Sequence, residues 1–235
     1  MRGFFVTATG TGAGKTFVTR GLAAALRRRG HSVGALKPLE TGCHPDPTDA
    51  LALARACGQP GLARADGLYR VAPPLAPYAA TLAGCPAPPA PARLAERSRA
   101  LLRSFDVALV EGAGGLLVPL DATHTMADLA AEIGLPLLLV AHDALGVLSF
   151  TLTACEAARS RSLPLAAVVL TRHERQVPDD PSREANARIL AERLHPVPVL
   201  TFPCCPDDDD ALARAAAEAG LPELYAEVTR TREAR

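Results

Sequence analysis

Between an apolar run at 3–8 and an amphipathic stretch at 16–29 lies Thr7-Ala8-Thr9-Gly10-Thr11-Gly12-Ala13-Gly14-Lys15-Thr16. A strand that passes through such a loop directly into a helix leaves few folds open. The glycines permit positive φ and close backbone approach. Successive N–H groups and the helix N-terminus then form a cradle for anions. Gly12, Ala13 and Gly14 would supply that cradle, with Phe17 beside it. Lys15 would reach the β- and γ-phosphates of a nucleoside triphosphate, and the Thr16 hydroxyl would ligate Mg²⁺. The strict GxxxxGK[ST] pattern is not met, because its first glycine falls at Thr9. A glycine turn before a helix is also a common structural device, but Gly-Lys-Thr at a strand–helix junction favours the phosphate reading.

The rest of the chain repeats the strand–helix alternation. Strand-like runs lie at 3–8, 32–37, 107–111, 135–141, 165–171 and 197–202. Helix-like stretches lie at 16–29, 49–57, 91–104, 125–133, 147–161 and 182–194. Apolar strands without in/out alternation predict a doubly wound, mainly parallel α/β sheet covered by helices on both faces. Ligands in such sheets bind beyond the carboxyl ends of the strands. No linker divides the chain, so a single domain over 1–235 is expected. The Pro/Ala-rich segment 60–91 is expected as an ordered excursion, and 203–235 as a helical tail. Asp207–Asp210 in that tail read as a solvated helix start rather than a metal site.

Composition narrows the function. The chain carries 25 Lys plus Arg against 25 Asp plus Glu, which supports neither a nucleic-acid nor an anionic-membrane partner. The first strand follows the N-terminus too closely for a secretory signal, and no apolar run reaches about 18 residues, so a cytoplasmic protein is expected. The six cysteines and six histidines show no metal-ligand spacing; reduced thiols fit. Among so many arginines, Lys15 and Lys37 are the only lysines. A compact ammonium and a planar guanidinium are not interchangeable in a tight site.

A second motif follows the strand at 107–111: Glu111-Gly112-Ala113-Gly114-Gly115. In a phosphate-loop protein this is the expected form of the second acidic strand, with Glu111 facing Mg²⁺. Lys37 closes the second strand in Lys37-Pro38-Leu39-Glu40-Thr41-Gly42. Its charge there could stabilise a transferring phosphoryl group or a carbamate.

Together, the glycine-rich loop, Lys37-Pro38 with Thr41-Gly42, Thr48-Asp49-Ala50, the 111–115 turn, Met126-Ala127-Asp128-Leu129 and Leu145-Gly146 resemble dethiobiotin synthetase over about residues 1–202. The resemblance implies that 7,8-diaminononanoate, CO₂ and MgATP give dethiobiotin, ADP and phosphate. It implies metal binding at Thr16, Asp49 and Glu111, and contacts to diamine, carbamate or phosphate from Thr11, Lys37 and Thr41. Lys15, Lys37 and Thr11 would be catalytic. Gly112, Ala113, Gly114 and Gly115 would lie against the substrate, with Gly114 also near the nucleotide. A homodimer is implied, in which Val147, Leu148 and Ser149 of the neighbouring subunit hold the substrate carboxylate. Departures are visible: no aspartate stands at Gly10, Ser149 replaces a common asparagine, and Thr171 stands where many relatives read adenine with an asparagine. A threonine hydroxyl cannot reproduce that amide's donor–acceptor pair, which implies relaxed base selection. Two rivals are a cobyrinic acid amidase-like P-loop synthetase and a partition-type switch ATPase. The first usually carries a glutaminase domain; the second has an early loop lysine, and residues 8–13 contain none.

Overall fold

The computed structural model describes residues 1–172 and 180–233. Its elements are β1 (Gly3–Ala8), α1 (Lys15–Arg28), β2 (Val33–Leu36), β3 (Leu39–Thr41), α2 (Thr48–Ala56), a 3₁₀ turn (Pro60–Arg64), β4 (Tyr69–Val71), α3 (Pro77–Leu82), α4 (Pro91–Leu102) and β5 (Val107–Glu111). There follow α5 (Met126–Ile133), β6 (Leu137–His142), α6 (Val147–Ser160), β7 (Leu165–Thr171), α7 (Arg183–Leu194), β8 (Val199–Phe202), α8 (Asp209–Glu218) and α9 (Leu221–Glu233). Each predicted strand and helix is present, with ends displaced by at most two residues.

Six strands pair in parallel in the order β2-β5-β1-β6-β7-β8. Their interior residues are apolar on both faces because helices cover both: β1, β2 and β5 are buried along their whole length. One apolar cluster joins α1, β1 and β5, and another joins β6 and β7 to α6 and α7. Register sets the site. Val6 pairs with Glu111, so β5 delivers its terminal carboxylate beside the loop that leaves β1.

The segment 60–91 is the ordered excursion expected, with structure of its own. β4 pairs in parallel with β3, Glu40 opposite Arg70, and α3 follows. The tail forms α8 and α9. Asp208 caps α8 by accepting from Ala211 N at 2.8 Å, so the acidic run does start a helix. It is not simply solvated, however. Arg20 of α1 donates to Asp209 at 2.8 Å and to Asp207 at 2.5 Å, and Arg28 pairs with Asp210. Close helix packing accompanies this: a Cβ on Gly21 would meet Leu212 O at 2.6 Å. Tyr225 of α9 packs edge-on against Phe4 of β1. Among the described residues no helix is long and apolar enough to cross a membrane.

Candidate active site

From β1 the chain turns through Gly12 at φ 78° and Gly14 at φ 88°, the latter a left-handed N-cap for α1. Side chains other than glycine are strained at such φ values. The 112–115 turn comes close to this loop, since a Cβ on Gly115 would lie 3.2 Å from Ala8 O and 3.3 Å from Thr9 O. The two glycine-rich segments therefore touch, and the charged side chains collect where they meet.

Glu111 is wholly buried and its Oε1 is shared. Thr16 Oγ1 and Lys37 Nζ each donate to it at 2.9 Å. Lys37 also donates to Asp49 Oδ2, at the start of α2. Lys15 Nζ donates to Gly114 O at 2.9 Å. The two lysine pKa values are shifted in opposite directions. Burial depresses Lys15 and the Lys37 charge adds to this, against a smaller pull from Glu111 and Asp49, leaving its pKa at about 8. Burial would also depress Lys37, but the adjacent Glu111 and Asp49 carboxylates outweigh it and hold the pKa above the ordinary lysine value. Lys37 stays an ammonium at any physiological pH.

Above this cluster opens a cleft of about 470 Å³. Thr11, Gly12, Gly14, Lys15, Thr16 and Phe17 line one side, and Lys37, Thr41, Asp49, Ala113 and Gly114 another. Ala13 is buried behind the loop, and Glu111 lies beneath the floor. Gly112 and Gly115 do not line the cleft. A Cβ on Gly112 would meet Met126 and Phe5 at 3.2–3.3 Å, so that glycine serves packing. Three contributors lay outside the sequence reading: Glu40, Val118, and the wall formed by Pro74–Pro77 of the excursion.

A second cavity of about 170 Å³ lies beyond Phe17, between Thr171, Arg172 and residues 202–207. Thr171 is buried, and its hydroxyl donates to Ala13 O at 2.8 Å, with Ala141 O at 3.4 Å. Its hydrogen is committed to the backbone of the phosphate loop. Val147, Leu148 and Ser149 start α6 and line neither cavity. Gly146 caps that helix, and its neighbours Leu145 and Phe150 are 85% and 64% exposed.

Among the described residues no cluster of three or more His, Cys, Asp or Glu could hold a metal alone. A hard cation would take one or two carboxylates, a hydroxyl, phosphate oxygens and water. The donors present fit that pattern. Glu111 Oε2 is buried without a hydrogen-bond partner among the described residues, beside the Thr16 hydroxyl and the Asp49 carboxylate.

A parallel sheet whose first strand feeds Gly-Lys-Thr into a helix, faced by a buried acid on the adjacent strand, defines a P-loop nucleotide-dependent protein. Solved structures agree on the fold. The cell division ATPase MinD of Pyrococcus furiosus superposes with a TM-score of 0.55 at 21% identity, covering 98% of this chain and 100% of that one. Cobyrinic acid a,c-diamide synthase from Mycobacterium smegmatis gives 0.55 at 18% identity, covering 93% and 91%. At the level of sequence, an AAA domain family matches residues 2–207. The ATP-dependent dethiobiotin synthetase of Anaeromyxobacter dehalogenans (strain 2CP-C) is 43% identical over 88% of this chain and 92% of its own. That of Caulobacter vibrioides (strain NA1000 / CB15N) is 37% identical over 86% and 93%. The chain belongs to the ATP-dependent dethiobiotin synthetase family, and so to the ATP-dependent ligases of biotin biosynthesis.

Proposed function

We propose that the 470 Å³ cleft binds 7,8-diaminononanoate against MgATP and closes the ureido ring with CO₂. One amine adds to CO₂ and loses a proton, giving a carbamate. A carbamate oxygen takes the γ-phosphoryl group, releasing ADP. The second amine then attacks the carbamoyl carbon and expels phosphate. Such chemistry needs positioning and charge neutralisation more than covalent help from the protein. The observation that carries the reading is the hydrogen-bonded constellation at the cleft floor, in which buried Lys37 and Glu111 are joined to half-exposed Asp49 and Thr16.

Lys15 and Lys37 neutralise the transferring group, with Thr11 alongside. Thr16, Asp49 and Glu111 hold Mg²⁺, which offsets phosphate charge. Gly12, Ala13, Gly14, Phe17 and Gly114 accept the nucleotide, whose base enters the cavity at Thr171. Thr41, Ala113 and Gly114 lie against the diamine. Two chains form a homodimer in which Val147, Leu148 and Ser149 of one copy receive the substrate carboxylate at the N-terminus of α6. The exposed Leu145 and Phe150 beside that terminus support an interface there. Residues 1–235 act as one domain, in the cytoplasm, where ATP is supplied.

Dethiobiotin measured by mass spectrometry from the diamine, bicarbonate, Mg²⁺ and ATP is the test. Product is expected; none from protein shown to be folded overturns the reading.

A further inference from the structure

We propose that Glu40 is a positioning residue that fixes Asp49 relative to Lys37, and so sets the charge geometry of the phosphoryl-transfer centre. The inference rests on reading Lys37, Asp49 and Glu111 as that centre. Glu40 lies in the middle of β3 and is only 4% exposed. Its Oε1 accepts from Asp49 N at 2.8 Å and its Oε2 from Ala50 N at 3.0 Å. These are amides of the first turn of α2, which have no partner inside their own helix. A helix normally satisfies them with its N-cap side chain. Here the N-cap is Pro47, whose ring carries no acceptor. The capping group is delivered from a strand instead, by both oxygens of a carboxylate, whose charge also suits the positive end of the helix.

Consider what is tied to what. Lys37 stands three residues before Glu40 in the chain. Asp49 begins the helix that Glu40 holds, and its carboxylate meets the Lys37 ammonium. The other side of Lys37 is fixed as well: Arg70, paired with Glu40 in the small sheet, donates to Lys37 O at 2.8 Å. Glu40 and Arg70 therefore clamp the main chains that carry the two charges. Glu40 also lines the cleft, so a direct contact with a substrate amine is the competing role. Both its oxygens already accept backbone N–H groups, which favours positioning.

Three variants separate the roles: Glu40→Gln, Glu40→Ala, and Glu40→Ala combined with Pro47→Ser. The amide of Glu40→Gln keeps one acceptor and loses the other. Lost support behind a metal ligand typically costs about 10- to 100-fold in metal affinity or activity. We expect kcat to fall about tenfold and the Mg²⁺ concentration for half-maximal rate to rise by about the same factor. The KM for the diamine should stay within about twofold, since no substrate contact is lost. Without turnover, the gain in ADP affinity on adding Mg²⁺, measured by calorimetry, should shrink, while metal-free ADP binding holds. Serine at position 47 can cap α2 locally, so the double variant should recover to within about threefold of wild type. A raised diamine KM with an unmoved Mg²⁺ response overturns the inference, as does wild-type behaviour of Glu40→Gln. Should Glu40→Ala fail to fold, the isosteric glutamine variant decides alone. Wild-type protein in the same assay separates the two levels: product that never depends on Mg²⁺ removes the underlying reading, whereas Mg²⁺-dependent product with unshifted variants removes only the role of Glu40.

Discussion

Lys37 and Glu111 form an ion pair of 2.9 Å whose carboxylate has no solvent exposure at all. Charges that deep persist only when paired, because desolvation costs several kcal/mol per ion. The pair is therefore structural, and the chemical role proposed for it can be separated from that by mutation.

Lys37→Ala should reduce dethiobiotin formation by at least about a hundredfold, through loss of charge at the transferring group. It should also lower stability by about 3 kcal/mol, since Glu111 is left buried and uncompensated. Adding Glu111→Gln should restore most of the stability and none of the turnover. Thermal denaturation beside the product assay reads both; normal turnover in Lys37→Ala removes it from the mechanism.

Glu111→Gln alone should raise the Mg²⁺ concentration for half-maximal rate by about tenfold or more, because a neutral amide is a poor ligand for a hard cation. The Mg²⁺ dependence of product formation measures it. An unchanged curve counts against Glu111 as a ligand.

Lys15 gives a pH signature. Its pKa lies at about 8 against an ordinary 10.5, whereas bound phosphates favour the ammonium. MgADP should therefore bind with proton uptake near pH 8, and its affinity should fall as pH rises through that value. Calorimetry in two buffers of different ionisation enthalpy detects the proton. Without nucleotide the sign differs. The folded chain binds fewer protons than the unfolded one between about 8 and 10.5, so the Lys15 contribution to stability rises across that window. Affinity that is flat from pH 7 to 9 would contradict this.

With the Thr171 hydroxyl committed to Ala13 O, no side-chain amide at that position reads the base. CTP and GTP should support synthesis with kcat/KM within about tenfold of ATP, since a site without paired base contacts discriminates weakly. Strong preference for ATP, by the same assay, would place base recognition elsewhere in the cavity.

Most of the fold was legible because its signals are local. Unalternated apolar runs mark β1, β5 and β6, and the Gly-Lys-Thr junction marks α1. Lys37 stood out by its rarity and by its place at the end of the second strand. Glu40 did not, because its partners lie nine and ten residues away, outside any helical or strand period. β3 and β4 have three residues each, too few to show a pattern. The Pro74–Pro77 wall has no periodicity to read. The acidic run at 207–210 is exposed and starts a helix as read, but its pairing with Arg20 was not legible, because Arg20 stands more than 180 residues upstream. The role expected of Val147, Leu148 and Ser149 needs a second chain, and no feature of one chain brings them to the cleft.

The family match ends at residue 207, just where α8 begins to engage α1. The span that the family model matches and the span that packs around β1 and α1 are thus different. Stopping at the shared boundary would strip Arg20 and Arg28 of the carboxylates of Asp209 and Asp210, and bare the apolar flank of β1 that Tyr225 covers. Helix α8 thus acts as a buttress for the helix on which the phosphate loop is mounted.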